Sequence, residues 1–339
     1  MNGASILVET LAQGDVTTCF ANPGTSEMHF VAALNDSHAL RCVLCLSETV
    51  VTGAADGYAR MQGKPAVTLL HLGPGLGNGL ANLHNARKAH SPVLNIVGDH
   101  ATYHIEMDAP LTADIEGIAR PVSNWVKTSA SAADLAVDAT EALHEARKSP
   151  GHVATLILPA NTAWEASNAM PQDPPPPEPA AKISADRIDV IAQLLQRRPA
   201  AAMILTGNAL TEAGLEAASQ IRQATGCQFY CQTSNARLPR GEGRVAITPV
   251  PYAVDAALAE LAPYRHIIGV GAKPPVAFLP IPANPAGWLP AMQRPYSYRT
   301  YMKTARRRCV PSPRHCRQAA IPRNLRCTTR QRLYPMAQS

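Results

Sequence analysis

A chain of 339 residues with 46% hydrophobic and 17% charged residues has material for two domains of ordinary size. Four Phe and three Trp make its core aliphatic and alanine-rich, and no apolar run reaches the roughly eighteen residues of a membrane span, so no membrane partner is expected. The formal charge of +6 does not describe a basic protein: twelve of the 31 Lys and Arg lie in residues 280–339, which hold no Asp or Glu, so the rest carries nineteen bases against 25 acids, a net of −6.

In chain order, Ala4 to Gln13 reads as an amphipathic helix stopped by Gly14. It lacks the basic region and cleavage site of a signal peptide, and a cytoplasmic location is expected. Val16 to Ala21 reads as a strand, Asn22-Pro23-Gly24-Thr25 as a turn, and Ser26 as the cap of a helix from Glu27 to Leu34. Arg41 to Ser47 is a second strand, with Ser47 a cap for the helix that Glu48 opens; Val51, Ala55, Tyr58 and Ala59 recur along it at helical spacing. Ala66 to Leu72 is a third strand, delivering the chain into a glycine loop at Gly73, Gly75, Gly77 and Gly79. A helix follows, then a strand from Val93 to Val97. His100 to Arg120 shows little periodicity; Ser131 to Lys148 is a helix and Val153 to Pro159 a last strand. Short apolar runs alternating with helices predict α/β architecture, a doubly wound parallel sheet of five or six strands over residues 1–165.

Residues 166–182 include the run DPPPPEP, a semi-rigid linker. A second doubly wound unit is expected over 183–278, with helices Ala185 to Gln196, Glu212 to Thr225 and Tyr252 to Leu261, and strands Ala201 to Leu205, Gln228 to Gln232 and His266 to Val270. Over 279–339 proline recurs, Arg306-Arg307-Arg308 cluster, acids vanish and no amphipathic period persists. This reads as a disordered tail without a packed core, either translated in a wrong frame or native, and limited proteolysis is expected to trim it. Its charge would bind nucleic acid non-specifically, but it has no recognisable module and no interleaved stacking aromatics, so no nucleic-acid partner is expected. Cys42 and Cys45 form a CxxC within a strand, where residues three apart face opposite ways, so they read as buried reduced thiols rather than a metal clamp.

Two features carry chemistry. Glu48 stands where a buried strand meets a helix, and Gly73-Pro74-Gly75 stands at the end of the next strand, the edge at which open α/β sheets bind ligands. A glutamate at a helix start also has a plain reading, as a partner for free N–H groups. The glycines do not match GxGxxG, which leaves a dinucleotide fingerprint unsupported.

Asn22-Pro23-Gly24, Ser47-Glu48, Asp56-Gly57-Tyr58-Ala59-Arg60, Gly63-Lys64-Pro65, His71, Gly73-Pro74-Gly75, Gly77-Asn78, His90-Ser91-Pro92 and Gly98 occur in an order and spacing that is specific as a set. In these residues the first 165 or so positions resemble the pyrimidine-binding domain of thiamine-diphosphate enzymes, the acetolactate synthase and benzoylformate decarboxylase family. A weaker resemblance to part of that family's middle domain runs to about Phe278.

The resemblance implies a thiamine diphosphate site and a 2-oxo acid substrate. Glu48 would hydrogen-bond the pyrimidine nitrogen N1′, with Pro23, Gly24, Gly73, Gly75 and Asn78 close to the cofactor. His71 aligns with an active-site histidine linked to proton transfers, and Thr25 with a substrate-contacting serine. It also implies a homo-oligomer formed through this domain, and a product that is either an aldehyde or an acyloin. The family's third domain holds the diphosphate through Mg2+ with a Gly-Asp-Gly motif; no such motif occurs in this sequence, and no metal ligand is assigned. Some relatives hold FAD in the middle domain, but no residue pattern here points to it. The expectation is a truncated member, inactive by itself; the alternative is a non-catalytic fragment that folds or associates with a partner chain.

Overall fold

The computed structural model describes residues 1–179, 182–196 and 201–276, and the backbone of 296–297. The tail predicted over 279–339 otherwise lies outside the described residues.

The first unit is built on a six-stranded sheet of order β2-β1-β3-β4-β6-β5, with every pair parallel. Its strands are β1 (Thr18–Asn22), β2 (Arg41–Leu44), β3 (Ala66–Leu70), β4 (Val93–Asp99), β5 (Trp125–Thr128) and β6 (Val153–Pro159). Alternate strand residues feed two apolar clusters, as the two-residue repeat of a strand requires. Leu69 and Ile96 face one side with α1 (Gly3–Gln13), α2 (Met28–Ser37) and α6 (Leu135–Arg147). Leu70 and Val97 face the other with α3 (Glu48–Gln62), α4 (Leu72–Ala89) and α5 (Ile115–Ala119). The predicted doubly wound sheet is present, covered on both faces.

Three local expectations change, and one strand stands where none was assigned. Helix α1 is buried on most sides rather than along one stripe, because α7 (Ala160–Trp164) packs on it as well as α2 and α6. Ser26 does not cap α2: a 3-10 turn, Thr25–Glu27, precedes the helix, and the Glu27 carboxylate turns back to the Gly24 N–H. Strand β5 has no alternation and carries Lys127, so its pattern is that of a loop; it adds to the edge by pairing with the fully buried β6. Cys45 is buried as expected, but Cys42 is exposed because β2 is an edge strand with an open flank. Both are free thiols.

The Asp-Gly-Tyr-Ala-Arg segment works as a structural clamp. Asp56, buried on α3, accepts two hydrogen bonds from Arg60 at 2.8 and 2.6 Å and one from the Ser91 hydroxyl at 2.5 Å. It ties α3 to the turn that leads into β4. Asp56→Asn keeps the shape and loses the charge that three donors share, and is expected to cost about 1–3 kcal/mol, read as a lower denaturant midpoint with an unchanged slope.

Residues 166–179 form no helix or strand, although the chain lies against α1, with the Gln172 N–H on the Thr10 hydroxyl at 3.3 Å. The second sheet has the order β11-β10-β7-β8-β9, again parallel. Its strands are β7 (Ala201–Leu205), β8 (Gln228–Cys231), β9 (Thr248–Pro249), β10 (His266–Val270) and β11 (Tyr296–Ser297), with helices α8 (Ala185–Gln196), α9 (Glu212–Thr225) and α10 (Val254–Leu261). The apolar runs of β7 and β10 carry the predicted bounds. The two-residue β9 and β11 are too short to leave a pattern.

Candidate cofactor site

In the first sheet, β2 lies to one side of β1 and β3 to the other, so the chain reverses direction between β1 and β3. Such a switch point leaves a crevice at the carboxyl ends of the strands. The segments leaving that edge are Pro23-Gly24 after β1, Ser47-Glu48 after β2 and His71 after β3.

Glu48 opens α3 and is 8% exposed. The helix start is capped by Ser47, whose hydroxyl accepts the Thr49 N–H at 3.3 Å, so the Glu48 carboxylate is not needed for that task. It reaches across to α4 instead. There Glu48 Oε2 accepts from Asn78 Nδ2 at 3.1 Å. Glu48 Oε1 has no hydrogen bond among the described residues and lies over Gly75: a Cβ there would stand 2.9 Å from this oxygen and 3.3 Å from the His71 Cβ. One glycine therefore separates Glu48 from His71.

The expected glycine loop is the first turns of α4. Leu72 enters it with φ +50°, and the helix forms despite four glycines because Leu72, Leu76, Leu83 and Ala86 are buried in the core. The glycines let α3 and α4 approach closely. A Cβ on Gly79 would stand 2.8 Å from Thr52 Cγ2, and one on Gly53 would stand 2.9 Å from Asn82 Nδ2. Across this narrow contact the Thr49 hydroxyl donates to the Asn78 carbonyl at 2.8 Å and Asn82 Nδ2 to the Thr49 carbonyl at 2.8 Å. Both bonds fix α4, and with it Asn78, relative to Glu48. Gly73 does not face this site: a Cβ there would stand 2.4 Å from the Ala113 Cβ, so it serves packing under the segment before α5.

His71, half-buried, places Nδ1 2.8 Å from Glu27 Oε2. Pro23 and Gly24 are half-buried beside it, and Thr25 is exposed at the start of the 3-10 turn. Glu27 is the residue that sequence reasoning missed. Its partner spacing, a glutamate three residues beyond the Gly24 turn, is that of a capping box, and this was the available signal. Burial pushes the Glu27 carboxyl above its usual range, against the pull of the Gly24 N–H and His71. Asp99, at the end of β4, is likewise raised by burial, opposed by the His100 N–H. Among the described residues no three His, Cys, Asp or Glu side chains converge on a metal position, and no described helix is long and apolar enough to cross a membrane.

Comparison with known proteins finds relatives in sequence and in fold. Residues 1–118 match the family described as thiamine pyrophosphate enzyme, N-terminal TPP binding domain. The Mycobacterium tuberculosis protein named "Putative acetolactate synthase large subunit IlvX" is 48% identical over 294 residues, which is 86% of this chain and 56% of that protein. The benzoylformate decarboxylase of Pseudomonas aeruginosa is 33% identical over 152 residues, 44% of this chain and 28% of that one. The solved structure of a thiamine diphosphate-dependent 4-hydroxybenzoylformate decarboxylase from Rhodococcus jostii RHA1 shares the fold, with a TM-score of 0.77 at 23% identity over 88% of this chain and 56% of that one. The chain thus spans about half the length of these relatives or less. Residues 1–118 are those of a thiamine pyrophosphate enzyme N-terminal domain, and over most of its length the chain is similar to thiamine-diphosphate-dependent enzymes of acetolactate synthase and benzoylformate decarboxylase type.

Proposed function

We propose that the first unit holds the aminopyrimidine end of thiamine diphosphate, and that the assembled protein acts on a 2-oxo acid, either as a decarboxylating lyase or as an acyloin-forming transferase. The observation that carries this reading is the pairing of a free, nearly buried Glu48 Oε1 with the bare Cα of Gly75, a surface that any side chain would fill. A flat ring bearing a basic nitrogen fits such a surface. When bound, thiamine diphosphate supplies the electron sink for cleaving the bond between a carbonyl and a carboxylate carbon.

The roles of the chain's own residues follow. Glu48 Oε1 would hold a proton for the ring nitrogen N1′, and Asn78 keeps Oε2 occupied so that Oε1 is the oxygen left for the ring. Gly24 and Pro23 wall the crevice beside His71. His71 exchanges a proton with the substrate, and Thr25 contacts it from the exposed rim. Neighbouring carboxylates Glu48 and Glu27 oppose the approach of a diphosphate, so that end and its Mg2+ are assigned to residues outside this site. FAD has no support from any residue pattern. Free buried thiols at Cys19, Cys45, Cys227 and Cys231 support a reducing, cytoplasmic setting.

Self-association through this unit is part of the proposal. Leu44 ends the edge strand β2 and Leu46 follows it; they are 71% and 95% exposed, and Val50 on α3 is exposed as well. Apolar residues grouped next to a site support an interface reading. Leu46→Glu is expected to shift the sedimentation coefficient of the chain toward that of a monomer; an unchanged oligomer would remove this surface.

Calorimetry with thiamine tests the site itself. Binding that disappears in Gly75→Val is expected. Equal heats in parent and variant would place the ring elsewhere.

A further inference from the structure

Glu27 is fully buried, and one of its oxygens has no hydrogen-bond partner among the described residues. Oε1 is buried without a hydrogen bond, while Oε2 takes two, from the Gly24 N–H at 2.7 Å and from His71 Nδ1 at 2.8 Å. A buried carboxylate left half-satisfied costs stability. Groups that cost stability and sit against a site residue are candidates for a role in the site.

We propose that Glu27 is a positioning residue that holds His71 in the tautomer with its proton on Nδ1, leaving Nε2 as the proton-accepting nitrogen of the site. The inference rests on the proposed role of His71 in proton exchange with substrate.

Three observations carry it. A backbone N–H can only donate, so Oε2 is already an acceptor through Gly24. A carboxylate oxygen that already accepts one N–H selects the imidazole tautomer that donates to it, which puts the proton on Nδ1. Burial raises the Glu27 carboxyl, while the Gly24 N–H and His71 act against the rise.

The third observation is the seat itself. A Cβ on Gly24 would stand 2.3–2.5 Å from three atoms of the His71 ring. A Cβ on Gly98, at the end of β4, would stand 1.6 Å from Glu27 Oε1. Two glycines from separate strand ends thus vacate the volume that the imidazole and the carboxylate occupy. Gly75 abuts the His71 Cβ from the α4 side. The pair is wedged in one arrangement, and no hydrogen bond to Nε2 is present among the described residues. A histidine held at one nitrogen by a carboxylate offers the other for proton transfer, with its tautomer fixed in advance.

The test is a two-bond nitrogen–proton correlation spectrum of the full chain labelled with 15N-histidine, with the His71 signals found by difference from His71→Gln. No cofactor is added, so failure of thiamine to bind would strike the proposed function alone and leave this result readable. The neutral parent ring is expected to favour Nδ1–H over Nε2–H by at least about tenfold, the worth of one hydrogen bond to a charged acceptor. Glu27→Leu removes the acceptor and should bring Nε2–H into the majority, whereas Glu27→Gln, whose amide oxygen still accepts from both Gly24 and His71, should retain Nδ1–H. A parent ring carrying its proton on Nε2 overturns the proposal without any variant. So does a Glu27→Leu spectrum that matches the parent.

Discussion

Replacing Glu48 by Gln, in an assembly that turns over a 2-oxo acid, should lower kcat by about 10²–10⁴-fold, the usual worth of a positioned acid–base group. The substitution is close to isosteric. Its amide oxygen keeps the bond from Asn78 Nδ2, and its amide nitrogen takes the place of Oε1 over Gly75. An amide N–H can donate a hydrogen bond to a ring nitrogen, but it cannot give up and recover the proton. The ring should therefore still dock while the proton step is lost. Thermal unfolding should be little changed, because Ser47 rather than Glu48 caps α3. Hydrogen–deuterium exchange at C2 of bound thiamine diphosphate is the direct measure. Exchange in the variant within about threefold of the parent, against the range above, would remove Glu48 from this role.

The parts of this arrangement that the sequence displays are those set by local pattern. Buried strands such as β4 and β6 announce themselves as unbroken apolar runs, and Ser47-Glu48 as a strand end followed by a cap. Their order along the chain carries the doubly wound topology, since crossovers between parallel strands leave few alternatives. What pattern cannot display is which side chains meet across elements. Gly73 and Gly75 are two residues apart and alike in sequence, yet one backs onto Ala113 and the other clears the space over Glu48. Their separate duties follow from the turn of α4 between them. Glu27 reads as an ordinary first-turn glutamate, and only the approach of β3 and β4 brings His71 and Gly98 to it. Strand β5 was illegible for another reason: an edge strand with Lys127 paired to Asp138 and Glu141 has no buried alternation to show.

The 339-residue chain by itself should bind thiamine and thiamine diphosphate with nearly equal affinity, and neither should need Mg2+. The site described above offers the ring one carboxylate oxygen, a glycine surface and the wall at Gly24. A ligand of about 18 non-hydrogen atoms at about 0.3 kcal/mol per atom gains about 5 kcal/mol, a Kd on the order of 0.1 mM. The diphosphate gains nothing here, because the residues of this site include the carboxylates of Glu48 and Glu27 and no Lys or Arg. In an assembly whose other residues grip that end, each charge-assisted hydrogen bond adds about 1.5–3 kcal/mol, so two or three of them multiply affinity by about 10²–10⁴ or more. The ratio of the two affinities therefore reports where the diphosphate is held, independently of how well the ring docks. A ratio within about fivefold, unchanged by Mg2+, is expected for the isolated chain, against the far larger factor that a phosphate grip would give. Preference for thiamine diphosphate by a hundredfold or more, with Mg2+ strengthening it, would show that these residues supply the anionic end of the site as well as its pyrimidine end.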